Sequence, residues 1–424
     1  MKLARLATIT LLASLLAGPV LAQGLPKADK PEDVGLSGAR LKRLSDVMKA
    51  GVAKGEIPGA VVLIARNGKV GYVEAFGFRD AEAKAPMKPD AIFRLASMTK
   101  PFTSLAAMML AEEGKLEIAY PVSRYLPEFK DLKVGVEVRD GGGTINLTTE
   151  PVKREMTVQD LMRHTSGLTY GVFGQSEVKK QYNAAKALDA GQTNAELVAK
   201  LSKIPLQYQP GTTWEYSMST DVLARVVEVA SGMDFDQFVA TRIAKPLKLA
   251  DSGFWVEQAK QGRIAAPPKG VNVPVVTAKP NWFSGGGGMV GTAADYVRFC
   301  QMLLNGGQLD GVRLVSRKTI ELMTANHLPP GIQYGAATPV LFQALAPTPE
   351  FGQGFGLGFA VRTDTGRNPL HGSQGDYFWG GAYGTYFWID PKEKLIAILM
   401  MQAPAARLHY RYLMREMVYQ AIVN

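Results

Sequence analysis

Strand-forming sequence sits at the two ends of this chain, and that placement constrains the fold more than any other feature. Residues 59–78, GAVVLIARNGKVGYVEAFGF, hold two apolar runs joined by Asn67-Gly68. Asn-Gly between extended runs is a strong hairpin signal, because both residues tolerate positive φ. Far downstream, FGLGFAV (355–361), GTYFWID (384–390) and KLIAILMMQ (394–402) read as three strands, the last two joined by the turn Asp390-Pro391-Lys392-Glu393. A helix accompanies each group. LSGARLKRLSDVMKAGVAKG sets Leu41, Leu44, Val47, Met48 and Val52 on one helical face before Gly55 ends it, and RLHYRYLMREMVYQAIV brings Leu413, Met417 and Ala421 into register. Terminal helices of this kind need a sheet to cover, so one sheet assembled from both chain ends is predicted.

The middle reads differently. From about 101 to 284 the patterns are mostly helical, in SLAAMMLAEEGKL, TVQDLMRHT, AELVAKLSKI, TDVLARVVEVASG and FDQFVATRIA, with Pro- and Gly-rich loops between them. The expected organisation is a sheet domain from 23–100 and 285–424, interrupted by a mostly helical domain at 101–284. Such a junction leaves a cleft, and ligand sites favour clefts between domains.

The first 22 residues fit a secretory signal. Lys2 and Arg5 precede an apolar run from Leu6 to Val20, and Val20-Leu21-Ala22 before Gln23 suits cleavage after Ala22. The apolar run is short for a span of about 20 residues, so export to a periplasm or beyond is expected, without stable membrane insertion after cleavage. The single cysteine, Cys300, excludes an internal disulfide and falls at helical spacing in DYVRFCQMLL, where it reads as a core residue. The formal charge of +10 falls to +8 when Lys2 and Arg5 leave with the signal. The basic residues are scattered, with neither a dense run nor interleaved aromatics, so no nucleic-acid partner is expected.

FRLASMTKPF (93–102) places Ser97 three residues before Lys100. Leu105, Met108, Met109 and Leu110 make the following stretch an apolar helix, and Pro101 fits only its first turn. Ser97 thus stands at a helix start, with Lys100 one turn on along the same face. A serine hydroxyl needs a base within hydrogen-bond reach, and a lysine serves where its pKa is depressed. Free backbone N–H groups at the helix start suit a developing oxyanion. The spacing alone is also that of a surface cap followed by a solvated lysine; the apolar flanks Phe93, Leu95, Ala96, Met98 and Phe102 favour a buried start. In PGTTWEYSMSTDVLARVVEVASG, Tyr216 lies in a loop before a helix. A tyrosinate beside a lysine can act as a base, although by itself Tyr216 reads more readily as an anchoring aromatic.

SMTK, MTVQDLMRHTSGL, PGTTWEYSMSTDVLARVVEVASG, GGGGMVGTAADYVRFCQMLLNGG and FWGGAYGTYFWIDP occur in this order along nearly the whole mature chain. In these blocks the chain resembles the class C β-lactamase-like serine hydrolases, and most closely the family VIII carboxylesterases. The resemblance implies an α/β (α+β) protein of the β-lactamase/transpeptidase-like fold, an antiparallel sheet flanked by helices, with the site between sheet and helical domain. It implies Ser97 as the acylated nucleophile, Lys100 as its base partner and Tyr216 as the second proton-transfer residue. Trp379-Gly380-Gly381 stands where the lactamases carry Lys-Thr-Gly, and the N–H groups of Ser97 and Ala382 would form the oxyanion hole. Two departures matter. The lactamases' Asn two positions after the tyrosine is Met218 here, and the cation at the head of the strand motif is Trp379. An indole cannot pair with a carboxylate as a cation does, which favours a neutral ester with an apolar acyl group.

The remaining signals are weaker. His164 reads as ordering a helix-to-loop corner, and His371, just before the site strand, as a candidate pocket residue. His327 and His409 have no companions, and four separated histidines give no metal-site spacing. No Gly-x-Ser-x-Gly occurs, and FGQGFGLGF does not join a strand to a helix as a dinucleotide loop does. RDGGGTINL reads as a mobile loop near the cleft, and its Asn146-Leu147-Thr148 as an unused glycosylation sequon. The sequence therefore predicts an exported serine hydrolase of short to medium acyl esters, needing no cofactor or metal. A β-lactamase or D-amino-acid peptidase is the rival enzyme, and a silent ligand-binding protein the rival from another class. Oligomeric state has no signal in the sequence.

Overall fold

A computed structural model describes residues 24–424, so the expected signal peptide lies outside the described residues. The hairpin at Asn67-Gly68 is present as β1 (Gly59–Arg66) and β2 (Lys69–Asp80), with Asn67 at φ 53° and Gly68 at φ 77°. A short β3 (Ala85–Pro86) follows, and the other five strands of the same sheet come from the C-terminal end. They are β4 (Gln353–Phe355), β5 (Ala360–Arg362), β6 (Tyr377–Gly380), β7 (Tyr386–Asp390) and β8 (Leu395–Met401). Their order is β4-β5-β6-β7-β8-β1-β2-β3, every neighbour antiparallel. The sheet is closed by the β1–β8 pairing of the two chain ends, from Ala60 opposite Met401 to Arg66 opposite Leu395. Residues 101–284 contribute no strand to it.

Three sequence expectations are corrected. FGLGFAV is not one strand: Gly356–Phe359 turn between β4 and β5, with Gly358 at φ 99°, which few L side chains adopt. RDGGGTINL is not a loose loop but the tip of a hairpin, Lys133–Arg139 paired with Ile145–Pro151. The Asp140 carboxylate closes that tip by accepting the N–H groups of Gly142 and Thr144, both at 2.9 Å. The third correction concerns the C-terminal helix, below.

Helices cover both faces of the sheet, which is why β1 and β8 are buried at every residue. On one face lie α1 (Gly38–Ala53), capped by Ser37, and the C-terminal helix; α2 (Lys100–Glu112), α3 (Ser219–Ser231) and α4 (Ala293–Leu304) belong to the other side. Phe102 of α2 stacks on Phe299 of α4 at 3.8 Å, and Tyr296 of α4 meets Phe387 of β7 at 5.0 Å. Cys300 is fully buried on α4, and burial pushes its thiol pKa up, so it stays an inert thiol.

The C-terminal helix α5 (Arg407–Tyr419) turns a face to the sheet that hydrophobicity does not mark. Leu413 and Met417 are only half-buried, while Tyr410, Arg411, Met414, Arg415 and Val418 are buried. Arg415 lies over the rings of Phe378, Tyr386 and Trp388, and with Arg362 it shares the buried Asp376 at 2.8 and 3.0 Å. Replacing Asp376 by Ala would leave two buried guanidinium groups unpaired and should cost about 3–5 kcal/mol. Urea unfolding measures this, and a loss below about 1 kcal/mol would contradict the account.

Asp160 plays the corresponding part in the middle of the chain. It completes the capping box of the helix Val158–Met162 with the cap residue Thr157, and is bonded by Arg154, Arg163, Thr157 and Thr165. Burial pushes its pKa up, but the Arg154, Thr157 and Thr165 bonds outweigh burial and hold it at about 2. A depressed carboxylate stabilises above its unfolded pKa and stops doing so as pH falls through the folded one. Asp160→Asn should therefore cost about 2 kcal/mol near neutral pH, less where solvent screens the half-exposed Arg154. The gap from wild type should shrink as pH approaches about 2; a gap independent of pH would contradict it.

Candidate active site

Ser97 lies in a single 3₁₀ turn, Ala96–Thr99, that runs directly into α2, and Pro101 occupies the first turn of α2 as its chemistry requires. Ala96 has φ 47°, a conformation costing a non-glycine residue roughly 1–2 kcal/mol. The surroundings enforce it. The Leu95 N–H donates to Met289 O at 2.9 Å, the Thr385 hydroxyl donates to Leu95 O at 3.0 Å, and the Tyr296 hydroxyl donates to Met98 O at 3.0 Å. Ser97 is thereby presented half-exposed between buried neighbours.

Three expected residues come together around its hydroxyl. Tyr216 Oη lies 2.6 Å from Ser97 Oγ, and Lys100 Nζ lies 3.4 Å from it. Lys100 is buried, donates to Gly286 O at 2.7 Å, and sits 3.3 Å from Tyr170 Oη and 4.7 Å above the centre of the Tyr216 ring.

Behind Lys100 stand residues that sequence reasoning did not single out. Beside Tyr170 lies the buried Asp221 of α3, whose carboxylate accepts the Gly286 N–H at 3.0 Å and the Ser284 hydroxyl. Burial, then Asp221 and Tyr216, push the Tyr170 pKa well up, so Tyr170 remains a neutral phenol. Burial likewise raises Asp221, opposed by Lys100 and its hydrogen-bond donors. The run Gly285–Gly288 threads between these groups: a Cβ on Gly285 would lie 2.7 Å from Ala224 Cβ, and one on Gly286 would overlap the Asp221 carboxylate. Four consecutive glycines were the available signal. Asp221, in the first turn of a helix, reads from sequence as a surface acid favoured by the helix dipole.

β6 brings its end to the same place. β5 pairs only with Tyr377 and Phe378, so the Trp379–Gly380 side of β6 is left without a partner strand. Gly381 packs on Leu95 and Ala96 and donates its N–H to Thr385 O at 2.8 Å. Among the described residues the N–H groups of Ser97 and Ala382 have no protein acceptor, and Ala382 is exposed. The Trp379 ring contacts Tyr216 at 5.5 Å and both Phe342 and Phe355 at 5.3 Å; Phe173 adds a stacked ring 6.1 Å from Tyr216. Segments 170–190 and 330–350 thus each send an aromatic to the site.

Two expected pocket residues are placed elsewhere. Met218 is 0% exposed in the core at the start of α3 and offers no surface to a ligand. His371 lies in the irregular segment before β6 and turns to α5, paired with Glu416 at 3.2 Å and stacked on Tyr419, with its side chain 57% exposed. Alternation along β6 sets Trp379 against Phe378, which faces Arg415 of α5. Trp379 points to the opposite face. His164 does form the corner its context suggests, at φ 59° after the helix Val158–Met162. Its buried ring packs 5.0 Å from Tyr216, and burial, then Lys100, hold its pKa well below the usual value, so it is a neutral wall of the site.

A serine next to a strained residue, a buried lysine and a tyrosine on one hydroxyl, set against the end of an antiparallel strand, define the hydrolases of the β-lactamase fold. The chain belongs to this family: the Beta-lactamase family model matches residues 44–414. It is 35% identical over 360 residues to Protein Rv1367c of Mycobacterium tuberculosis, covering 82% of this chain and 86% of that one. It is 31% identical over 389 residues to Esterase EstB of Burkholderia gladioli, covering 84% and 89%. Among solved structures it is similar to EstCE1, described as a hydrolase with promiscuous acyltransferase activity, at TM-score 0.74 and 27% identity over 90% of this chain and 99% of that one. The protein is thus a hydrolase of the β-lactamase fold, similar to esterases of that family.

Proposed function

We propose that the protein is an exported carboxylesterase that cleaves neutral esters of short to medium acyl chains through a covalent acyl-enzyme on Ser97. The observation that carries this reading is the placement of Ser97 Oγ between Tyr216 Oη at 2.6 Å and Lys100 Nζ at 3.4 Å. A neutral amine at Lys100 has two N–H groups and one lone pair. Gly286 O and Tyr170 Oη take the two N–H groups, which turns the lone pair to the Ser97 proton. As Oγ attacks the ester carbonyl, Lys100 receives that proton and Tyr216 passes one to the departing alkoxide. The N–H groups of Ser97 and Ala382 hold the oxyanion. Water, activated by the same pair, then releases the acid. Tyr170 and Asp221 orient Lys100 from behind.

The acyl group would lie along the open side of β6 at Gly380 and Gly381, against Trp379, Phe342 and Phe173. These walls are aromatic, and neither His371 nor Met218 offers a polar anchor there, which supports an ester over a β-lactam. The division at 101 and 285, and removal of residues 1–22 on export, belong to the same reading. EstCE1's acyltransferase activity suggests a second outcome for the acyl-enzyme, in which an alcohol replaces water. Side-by-side rates on p-nitrophenyl butyrate and nitrocefin test the proposal. Fast ester turnover with little nitrocefin turnover is expected; nitrocefin turnover rivalling the ester would favour a lactamase.

A further inference from the structure

One buried cation near the site has no counter-charge. Arg411 of α5 is 6% exposed, and among the described residues no carboxylate pairs with it, whereas Arg415, one turn on, shares Asp376 with Arg362. Its Nη2 donates to Gly381 O at 2.6 Å and to Thr385 O at 3.3 Å, its Cζ lies 5.6 Å from the Tyr386 ring centre, and its buried Nε–H has no partner. Burial pulls its pKa down to about 10, as befits a desolvated cation. The guanidinium packs directly on the backbone of Gly380, where a Cβ would lie 2.6 Å from Arg411 Cζ. A buried guanidinium bonded only to backbone oxygens is costly, so its location calls for an explanation.

The carbonyl that Arg411 grips and the N–H of Ala382 belong to one peptide group. That group is planar and trans, so its oxygen and its N–H point in opposite directions. With Gly381 O turned toward α5, the Ala382 N–H is turned away from α5, toward the open side of the strand. The Gly384 N–H, donating to the same oxygen at 3.0 Å, fixes the turn but brings no charge. A donor at the oxygen end strengthens the N–H end as a donor, and a cation does so more than a neutral group.

We infer that Arg411 is a positioning residue of the oxyanion site, fixing and polarising the Gly381–Ala382 peptide from behind so that the negative charge developing on the substrate becomes its missing counter-charge. The inference rests on the reading of Ser97 as nucleophile and Ala382 as oxyanion donor. The ground-state ester carries little charge, so the interaction strengthens in the transition state and acts on kcat.

Kinetics of Arg411→Met, Arg411→Lys and Arg411→Gln on p-nitrophenyl butyrate, with Ser97→Ala alongside, test this. Arg411→Met should lower kcat about 10- to 100-fold with KM within about twofold, and lower fluorophosphonate inactivation by the same factor. Arg411→Lys should recover most of that loss and Arg411→Gln, which keeps a donor without charge, should not. A wild-type kcat in Arg411→Met, a loss carried by KM alone, or equal rates for the Lys and Gln variants would overturn the inference. If Arg411→Met does not fold, the Lys and Gln pair decides it. An inactive Ser97→Ala beside a fully active Arg411→Met overturns the positioning role only; an active Ser97→Ala overturns both readings.

Discussion

Ser97→Ala should lose about 10⁴- to 10⁶-fold in kcat on p-nitrophenyl butyrate, with an unchanged fold. The substitution removes one half-exposed oxygen from a turn whose conformation is set by Leu95, Met98 and Thr385, none of which bonds that oxygen. Stability should stay within about 1 kcal/mol of wild type, because the hydroxyl's lost partners, Tyr216 and Lys100, keep other contacts. What remains is catalysis by the oxyanion site and binding alone. A variant that kept wild-type turnover would remove Ser97 from the chemistry.

The second large effect belongs to Lys100→Met, a swap of similar length and volume in a buried setting. Its loss should be about 10²- to 10⁴-fold in kcat, the range for removing a positioned acid–base group. Fluorophosphonate labelling of Ser97 should slow by a comparable factor, because the probe needs the same deprotonated oxygen. The two measurements separate roles. A fall in turnover with labelling unaffected would mean that Lys100 serves deacylation only, and wild-type values in both would make Tyr216 the base.

Much of this architecture was legible because strands and caps carry local signals. Asn67-Gly68 and the apolar runs at both ends defined the sheet, and Ser97, Lys100 and Tyr216 lay in blocks whose order resembles one family. The parts that escaped are those where a polar residue is buried for a reason only tertiary structure supplies. α5 is the clearest case: its buried face carries Arg411 and Arg415, because the rings of Phe378, Tyr386 and Trp388, Asp376 and a carbonyl of the site strand await them. Leu413 and Met417, which hydrophobicity selects, are only half-buried. Asp221 and Tyr170 escaped similarly, as one acid in a helical first turn and one of 15 tyrosines. His371 misled in the opposite sense: its position just before β6 places it near the site in sequence, but the segment that carries it turns its ring onto α5, against Glu416 and Tyr419.

Lys100 and Tyr216 converge on the Ser97 hydroxyl, so the identity of the acylated atom tests the account most directly. Rapid acid quenching during turnover of p-nitrophenyl butyrate, followed by peptide mass mapping, reads it. One butyryl group on Ser97, absent in Ser97→Ala, is the predicted result. Acylation of any other residue, or steady ester turnover that continues in Ser97→Ala, would contradict it.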